Sequence, residues 1–381
     1  MSSQNNLNLE RIMNVIIEDY NLVRGKDLGK GSSGKVMEVF HPKFKKSLAG
    51  KLVERKTNSN HNESALLIQV RGKHLVKIIS IYETKVHGKP YRFILMEKAP
   101  LRDLKKFSDC LRYQNILKLI FLSPFDLMGN NLLRFFFKQI VEGLEVLDRE
   151  NYVHFDIKPN NILIFVDMIV KLSDFDLLKN TKSILNQNNK LKIPGGTSGF
   201  LSIDYYKDKD HMIFENEASK QDFFALGVTL FFMKYGKNMI KAYRNDQIDK
   251  EVDNLKIADY LVDEIQNAMN EIKTTKLSEK EFNDFLISLI QFNAKDRCNF
   301  EEIYRNEWLN KNWEELLEIF EANIADEEKL VLELDKSDYL IKRKQYLNEI
   351  HNRQNNNNIN NNRNGEKVHT YNHRDKFIFK I

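Results

Sequence analysis

Two cysteines, Cys110 and Cys298, are all that the 381 residues contain. They are too few for a disulfide framework, so a reducing compartment is expected. Long apolar runs are missing as well. The most apolar windows, 116–122 and 223–233, fall well short of the ~20 residues that a membrane-spanning helix needs. Residues 1–20 are polar, contain acidic groups and lack the apolar stretch of a secretory leader. The net charge is only +5, and no basic block stands out, which argues against a nucleic-acid partner. No internal repeat is visible. These absences leave a soluble globular protein, expected inside the cell in the cytoplasm, with no stable membrane insertion and no indication of oligomeric state.

Short β-rich runs fill the first hundred residues: 20–29, 35–40, 47–54, 76–83 and 92–97, separated by turn residues. A helical stretch at 63–70 interrupts them. From Leu132 the period changes, and Leu133, Phe136, Phe137, Ile140, Leu144 and Leu147 recur three and four residues apart on one helix face. Strand-like pieces return at 162–165 and 170–173, and helical spacing resumes from Asp222 to about Leu309. A β-rich lobe followed by an α-rich lobe is expected, an α+β architecture. Residues 108–131 read as an insert before the helix near Leu132. Trp313, Leu317, Phe320 and Ile324 suggest further helix over 313–350, and the asparagine-rich stretch 354–364 cannot build a core.

Gly29, Gly31 and Gly34 lie in a turn between two strand-like runs, within Leu28-Gly29-Lys30-Gly31-Ser32-Ser33-Gly34-Lys35-Val36. Glycines there let backbone N–H groups approach phosphate oxygens that side chains would block. In dinucleotide-binding folds a helix follows such glycines; here a strand does. Beyond it stands Ala49-Gly50-Lys51, then His154-Phe155-Asp156-Ile157-Lys158-Pro159-Asn160-Asn161, and eighteen residues after Asp156 comes Asp174-Phe175-Asp176. This ordered set resembles the eukaryotic-type protein kinase family, serine/threonine class, over roughly 20–309. The resemblance implies a two-lobed fold with an ATP cleft between the lobes, ATP and Mg2+ as cofactors, and phosphorylation of serine and threonine hydroxyls on protein substrates. A pseudokinase, a nucleotide-binding or scaffolding module, is the alternative.

Residue by residue, the resemblance implies catalytic roles for Asp156, Lys158 and Asn161, with Asn161 and Asp174 on the metal. It implies nucleotide contacts from Leu28, Gly29, Lys30, Gly31, Ser32, Ser33, Gly34, Val36, Ala49, Lys51, Met96, Glu97, Ala99, Leu163 and Asp174, and a Glu63 carboxylate pairing with Lys51. Thr197 would contact Asp156 and Lys158, Asp204 would pair with Arg297, and Asp222 would anchor the catalytic loop. Two positions depart from the family pattern. Phe155 stands where many relatives carry a phosphate-receiving arginine. Asp176 replaces a glycine, placing a further carboxylate near the phosphates, where it would repel them unless it helps to hold a metal. The domain division expected is an extension over 1–19, a kinase domain over 20–310 with lobes at about 20–98 and 99–310, a helical extension over 311–351, and a largely disordered tail over 352–381.

Overall fold

The computed structural model describes residues 2–31, 34–54, 70–86, 88–113, 130–165, 168–182, 188–236, 238–240, 254–273 and 280–314. Glu63, Ser32, Ser33, most of the stretch 63–70 and the C-terminal segments beyond 314 lie outside them, as do residues 114–129.

Helix α1 (Ser2–Asp19) precedes a five-stranded antiparallel sheet in the order β1-β2-β3-β5-β4. Its strands are β1 (Val23–Gly31), β2 (Gly34–His41), β3 (Lys46–Glu54), β4 (Ile78–Val86) and β5 (Lys89–Glu97). Side chains alternate across a strand, so register assigns each to a face. Val36 pairs with Lys51, Lys51 with Ile94, and Ala49 with Met96. These residues share the face that looks toward the second lobe. Met37, Gly50 and Leu95 stand in register on the opposite face, as do Leu52 and Phe93. There Met37, Val39, Leu48, Leu52, Phe93 and Leu95 are buried beneath Ile12, Met13, Ile16 and Ile17 of α1. The spacing 12, 13, 16, 17 makes one apolar helix stripe, and burying each such side chain contributes about 1.5–3 kcal/mol. The N-terminal segment is therefore a layer of the first lobe. The Phe93 ring occupies the space over Gly50, where a Cβ would come within 2.3 Å of its tip.

The second lobe is helical. It contains α2 (Leu104–Tyr113), α3 (Asn130–Arg149), α4 (Ile203–Lys207), α5 (Ser219–Tyr235), α6 (Asn254–Lys273), α7 (Lys280–Leu289), α8 (Phe300–Arg305) and α9 (Glu307–Asn310). Phe136, Phe137 and Ile140 of α3 and Phe223, Phe224 and Leu230 of α5 form its core, and the interior of α5 is buried on every side. The start of the expected insert is instead the second half of α2. Its Phe107 and Cys110 are three residues apart and both buried, so this stretch packs as core. Trp313 stacks on Phe135 with ring centroids 6.2 Å apart.

Short strands serve the loops between the lobes. They are β6 (Tyr152–Val153), β7 (Ile162–Ile164), β8 (Val170–Leu172), β9 (Lys179–Asn180), β10 (Lys190–Lys192) and β11 (Met212–Phe214), paired as β6-β9, β7-β8 and β10-β11. Among the described residues, no helix is long and apolar enough to cross a membrane.

Candidate active site

The turn between β6 and β7 is built on one buried carboxylate. Asp222, in the first turn of α5, accepts the backbone N–H of His154 at 2.8 Å and that of Phe155 at 2.9 Å. Burial pushes Asp222 up to about 7, even though both N–H bonds pull the other way. Phe155 takes a left-handed backbone (φ 62°), and its ring is buried with Leu191, Ile193, Ile213 and Ala218. His154 is fully buried. Its Nε2 lies 3.0 Å from the Ser173 carbonyl, and its Nδ1 accepts the Asp156 N–H at 3.3 Å. That pattern requires the neutral ring with hydrogen on Nε2. Burial lowers its pKa, consistent with the same form.

Asp156 is then presented to the cleft with its oxygens already engaged. Oδ1 accepts the Thr197 hydroxyl at 2.6 Å, while Oδ2 accepts Lys158 Nζ at 2.6 Å and Asn161 Nδ2 at 2.8 Å. Lys158 Nζ also reaches Thr197 Oγ1 at 2.6 Å, which closes a triangle. Asn161 Nδ2 donates a second time, to the Asp156 carbonyl at 2.8 Å. The amide orientation follows from this, with Oδ1 turned away from Asp156.

The β7-β8 hairpin places the next group. Ile162 pairs with Leu172, so the residues flanking the pair, Asn161 and Ser173, meet. Ser173 donates its N–H and its hydroxyl to the Asn161 carbonyl at 2.8 and 2.9 Å. Asp174 follows in a left-handed conformation (φ 64°) that turns its carboxylate toward the first lobe. There Lys51 Nζ contacts Asp174 Oδ1 and Asp176 Oδ2, each at 2.6 Å.

The three charges are interdependent. Burial would lower the Lys51 pKa, but Asp174 and Asp176 outweigh it and raise it. Burial would likewise raise Asp174, yet the Lys51 charge and hydrogen bond hold it below the usual carboxylate range. Asp176 moves the other way, raised by burial and by Asp174 against the pull of Lys51. The Asp176 carboxylate is thus bonded to the lysine as well as lying beside Asp174, and one cation is shared between two carboxylates. Sequence reasoning missed this partnership. The available signal was a second carboxylate two residues beyond Asp174, but residues 51 and 176 meet only through the fold.

The structure brings Val36, Ala49, Lys51 and Met96 onto one sheet face opposite Asp156, Asn161 and Asp174. Leu28, Gly29, Lys30 and Gly31 lie at the end of β1, and Gly34 opens β2. A Cβ on Gly34 would come within 2.0 Å of the Leu52 carbonyl, so no side chain fits there. Lys106 of α2 donates to the Leu28 carbonyl at 3.2 Å, which ties the hairpin to the lower lobe. Met96 and Glu97 end β5, and Ala99 follows in the segment joining the lobes. Glu97 Oε1 accepts Lys171 Nζ and the Lys77 N–H, each at 2.7 Å, which ties this side chain to β8 and to the start of β4. Leu163 sits on β7 beside that segment, bridged to Asp103. Glu63, the expected partner of Lys51, lies outside the described residues.

Below Thr197, Asp204 accepts Arg297 Nη2 at 2.5 Å. The Arg297 guanidinium has no exposed surface and also donates to the carbonyls of Gln291 (2.8 Å) and Lys220 (3.1 Å).

Comparison with known proteins agrees with this geometry. The protein kinase domain model matches residues 22–309. An Aurora kinase of Saccharomyces cerevisiae is 26% identical over 81% of this chain and 75% of its own length. A serine/threonine-protein kinase stk11 homolog of Dictyostelium discoideum is 27% identical over 66% of this chain, and the mouse dual specificity protein kinase TTK is 25% identical over 73%. The chain spans 44% of the length of the Dictyostelium protein and 30% of that of the mouse protein.

Proposed function

This chain belongs to the protein kinase family, and from that premise we infer that it binds ATP with magnesium and phosphorylates serine and threonine hydroxyls of protein substrates. The observation that carries the reading is the convergence of Thr197, Lys158 and Asn161 on the Asp156 carboxylate within 2.8 Å. Phosphoryl transfer asks a protein mainly for positioning and charge stabilisation, and these bonds hold an acceptor carboxylate and a cation side by side.

In this reading Asp156 orients the substrate hydroxyl and takes its proton as oxygen bonds to the γ-phosphorus. The bond from that phosphorus to its bridging oxygen breaks, and ADP carries away the electron pair. Lys158 balances charge on the moving group. Lys51 neutralises the α- and β-phosphates, and Val36, Ala49, Met96 and Leu163 form the apolar walls around the base. Asn161 Oδ1 and the Asp174 carboxylate are hard oxygen donors on two adjoining loops tied together by Ser173, a donor set that suits magnesium. When bound there, the metal would supply charge neutralisation and orientation of the phosphate oxygens. The serine/threonine preference rests on the Thr197 hydroxyl bonded to Asp156 and Lys158.

The test is transfer of labelled phosphate from ATP and magnesium to a generic basic protein. Asp156→Asn is expected to cut turnover by about 10²–10⁴, the range for loss of a positioned general base, while nucleotide affinity stays near wild type. Wild-type protein that binds ATP yet transfers no more than Asp156→Asn would make the chain a pseudokinase.

Phe155 carries a prediction about control. Its ring holds β10 and β11, which lie between Asp174 and α5, by apolar contact with Leu191, Ile193 and Ile213 rather than through a phosphate. Phosphatase treatment of active protein is therefore expected to change turnover by less than about threefold, under ~1 kcal/mol of barrier. A larger loss that tracks dephosphorylation between Asp174 and Asp204 would contradict this.

A further inference from the structure

The family match starts at residue 22 and leaves α1 outside it. The helix nevertheless does more than cover the sheet. Glu10 and Asn14, one helical turn apart, face the β1-β2 hairpin from behind. Arg24 of β1 donates to Glu10 Oε2 at 2.7 Å and to Asn14 Oδ1 at 2.6 Å. Glu10 Oε1 accepts Lys35 Nζ of β2. Asp27 Oδ2 is 3.0 Å from the same ammonium. One carboxylate thus holds both strands of the hairpin that carries Gly29, Gly31 and Gly34.

Lys35 is the informative member of this group. It follows Gly34 directly, and its backbone pairs with Lys30 on one side and Leu52 on the other. Val36 points into the cleft, so alternation sends Lys35 to the outer face, toward α1. Its side chain keeps 11% of its exposure, whereas Glu10 keeps 35%. An ammonium so enclosed needs its carboxylate partners, and without Glu10 it keeps only Asp27, whose side chain is 56% exposed, and is drawn outward toward that carboxylate and water. Lys35 directly follows Gly34, so that movement would pull on Gly34 and on its pairing with Gly31 at the end of the hairpin.

We propose that α1 is a clamp on the glycine-rich hairpin and that Glu10 is a positioning residue for nucleotide binding, acting through Lys35 and Arg24 from outside the cleft. The proposal rests on the reading of the hairpin as the ATP phosphate cradle. It makes the segment before residue 22 part of the catalytic unit and gives nucleotide affinity a control point on the outer surface. The helix itself is held by Ile12, Met13, Ile16 and Ile17, so loss of Glu10 loosens the hairpin without releasing the helix.

The experiment uses the full chain and compares Glu10→Ala and Glu10→Gln with wild type. Measured quantities are the ATP KM, kcat at saturating ATP, the dissociation constant of a fluorescent ATP analogue, and melting temperature. Glu10→Ala is expected to raise KM and the analogue's dissociation constant together by about three- to fivefold, the scale of a partly exposed ion-pair network. At the same time kcat should stay at the wild-type value and the melting temperature within about 3 °C of it, the shift that goes with under ~1 kcal/mol. Glu10→Gln keeps an acceptor for Lys35 and should recover part of the affinity. Wild-type affinity in Glu10→Ala, or a loss accompanied by a larger fall in melting temperature, would overturn the clamp alone. Wild-type protein that binds no nucleotide would overturn the ATP reading, and the clamp with it.

Discussion

Lys51→Met is expected to reduce phosphoryl transfer by about 10²–10³, the usual cost of removing one preorganised charge from a reacting centre. The same substitution should also register in stability, because Lys51 is the cation bonded to Asp174 and Asp176 at 2.6 Å each. Breaking a fully buried ion pair from one side costs ~3–5 kcal/mol. These carboxylates keep 22% and 23% of their side-chain exposure, so water screens them and the expected loss is nearer ~1–2 kcal/mol. Magnesium should return part of it by supplying positive charge to Asp174. Thermal melts of wild type and Lys51→Met, with and without magnesium, check this alongside the transfer assay. Full activity in the variant would remove Lys51 from the mechanism. A melting temperature equal to wild type in the absence of metal would show that the two carboxylates need no cation.

Asp204→Ala is expected to be among the most destabilising single changes in the second lobe. Arg297 has no exposed side-chain surface, and burial lowers its pKa while Asp204 opposes that shift. Removing the carboxylate leaves a buried guanidinium with carbonyl acceptors and the face of Phe224, whose ring centre is 5.1 Å away. The expected loss is about 3 kcal/mol, the low end for a broken buried pair, because those carbonyls remain. Chemical denaturation should show a lower midpoint with an unchanged slope. The double variant Asp204→Ala with Arg297→Leu should regain stability over Asp204→Ala, since a buried apolar residue replaces an unpaired charge. If the double variant is no more stable than the single one, the pair does not govern this region.

Legibility in the sequence followed how local the physical constraint is. His154–Asn161 reads as one unit because its chemistry is confined to eight consecutive positions, and each neighbour's type follows from the role beside it. The strands of the first lobe were visible for a similar reason: β-rich runs and the turn residues between them mark each strand by itself, although only the register puts Val36, Ala49, Lys51 and Met96 on one face. Helix α1 was harder to see. Its first turns are Ser, Gln and Asn, and its apolar stripe appears only as the pairs Ile12-Met13 and Ile16-Ile17. The structure makes it a layer of the lobe because Leu52, Phe93 and Leu95 leave an apolar sheet face that needs a cover. Leu104, Phe107 and Cys110 did carry helical spacing. The polar residues between them, and the mixed stretch that follows, made the end of α2 read as an insert. The contact between Lys51 and Asp176 was beyond pattern reasoning, since it depends on how the lobes meet.

The fit of the Phe93 ring over Gly50 limits how this part of the chain can change over time. A methyl group at position 50 would collide with the ring tip at 2.3 Å, so a larger residue there is blocked while phenylalanine faces it. Shrinking Phe93 first opens a cavity beneath α1, at a cost of about 3–5 kcal/mol for a large-to-small core change. Either single step is costly, whereas the two together could refill the same volume, a coupling expected of side chains that share one space. Positions 50 and 93 therefore form a mutational lock next to Lys51. Sequence drift that reaches the residue beside this lysine has to pass through a weakened intermediate, and the pair is expected to change in concert or not at all.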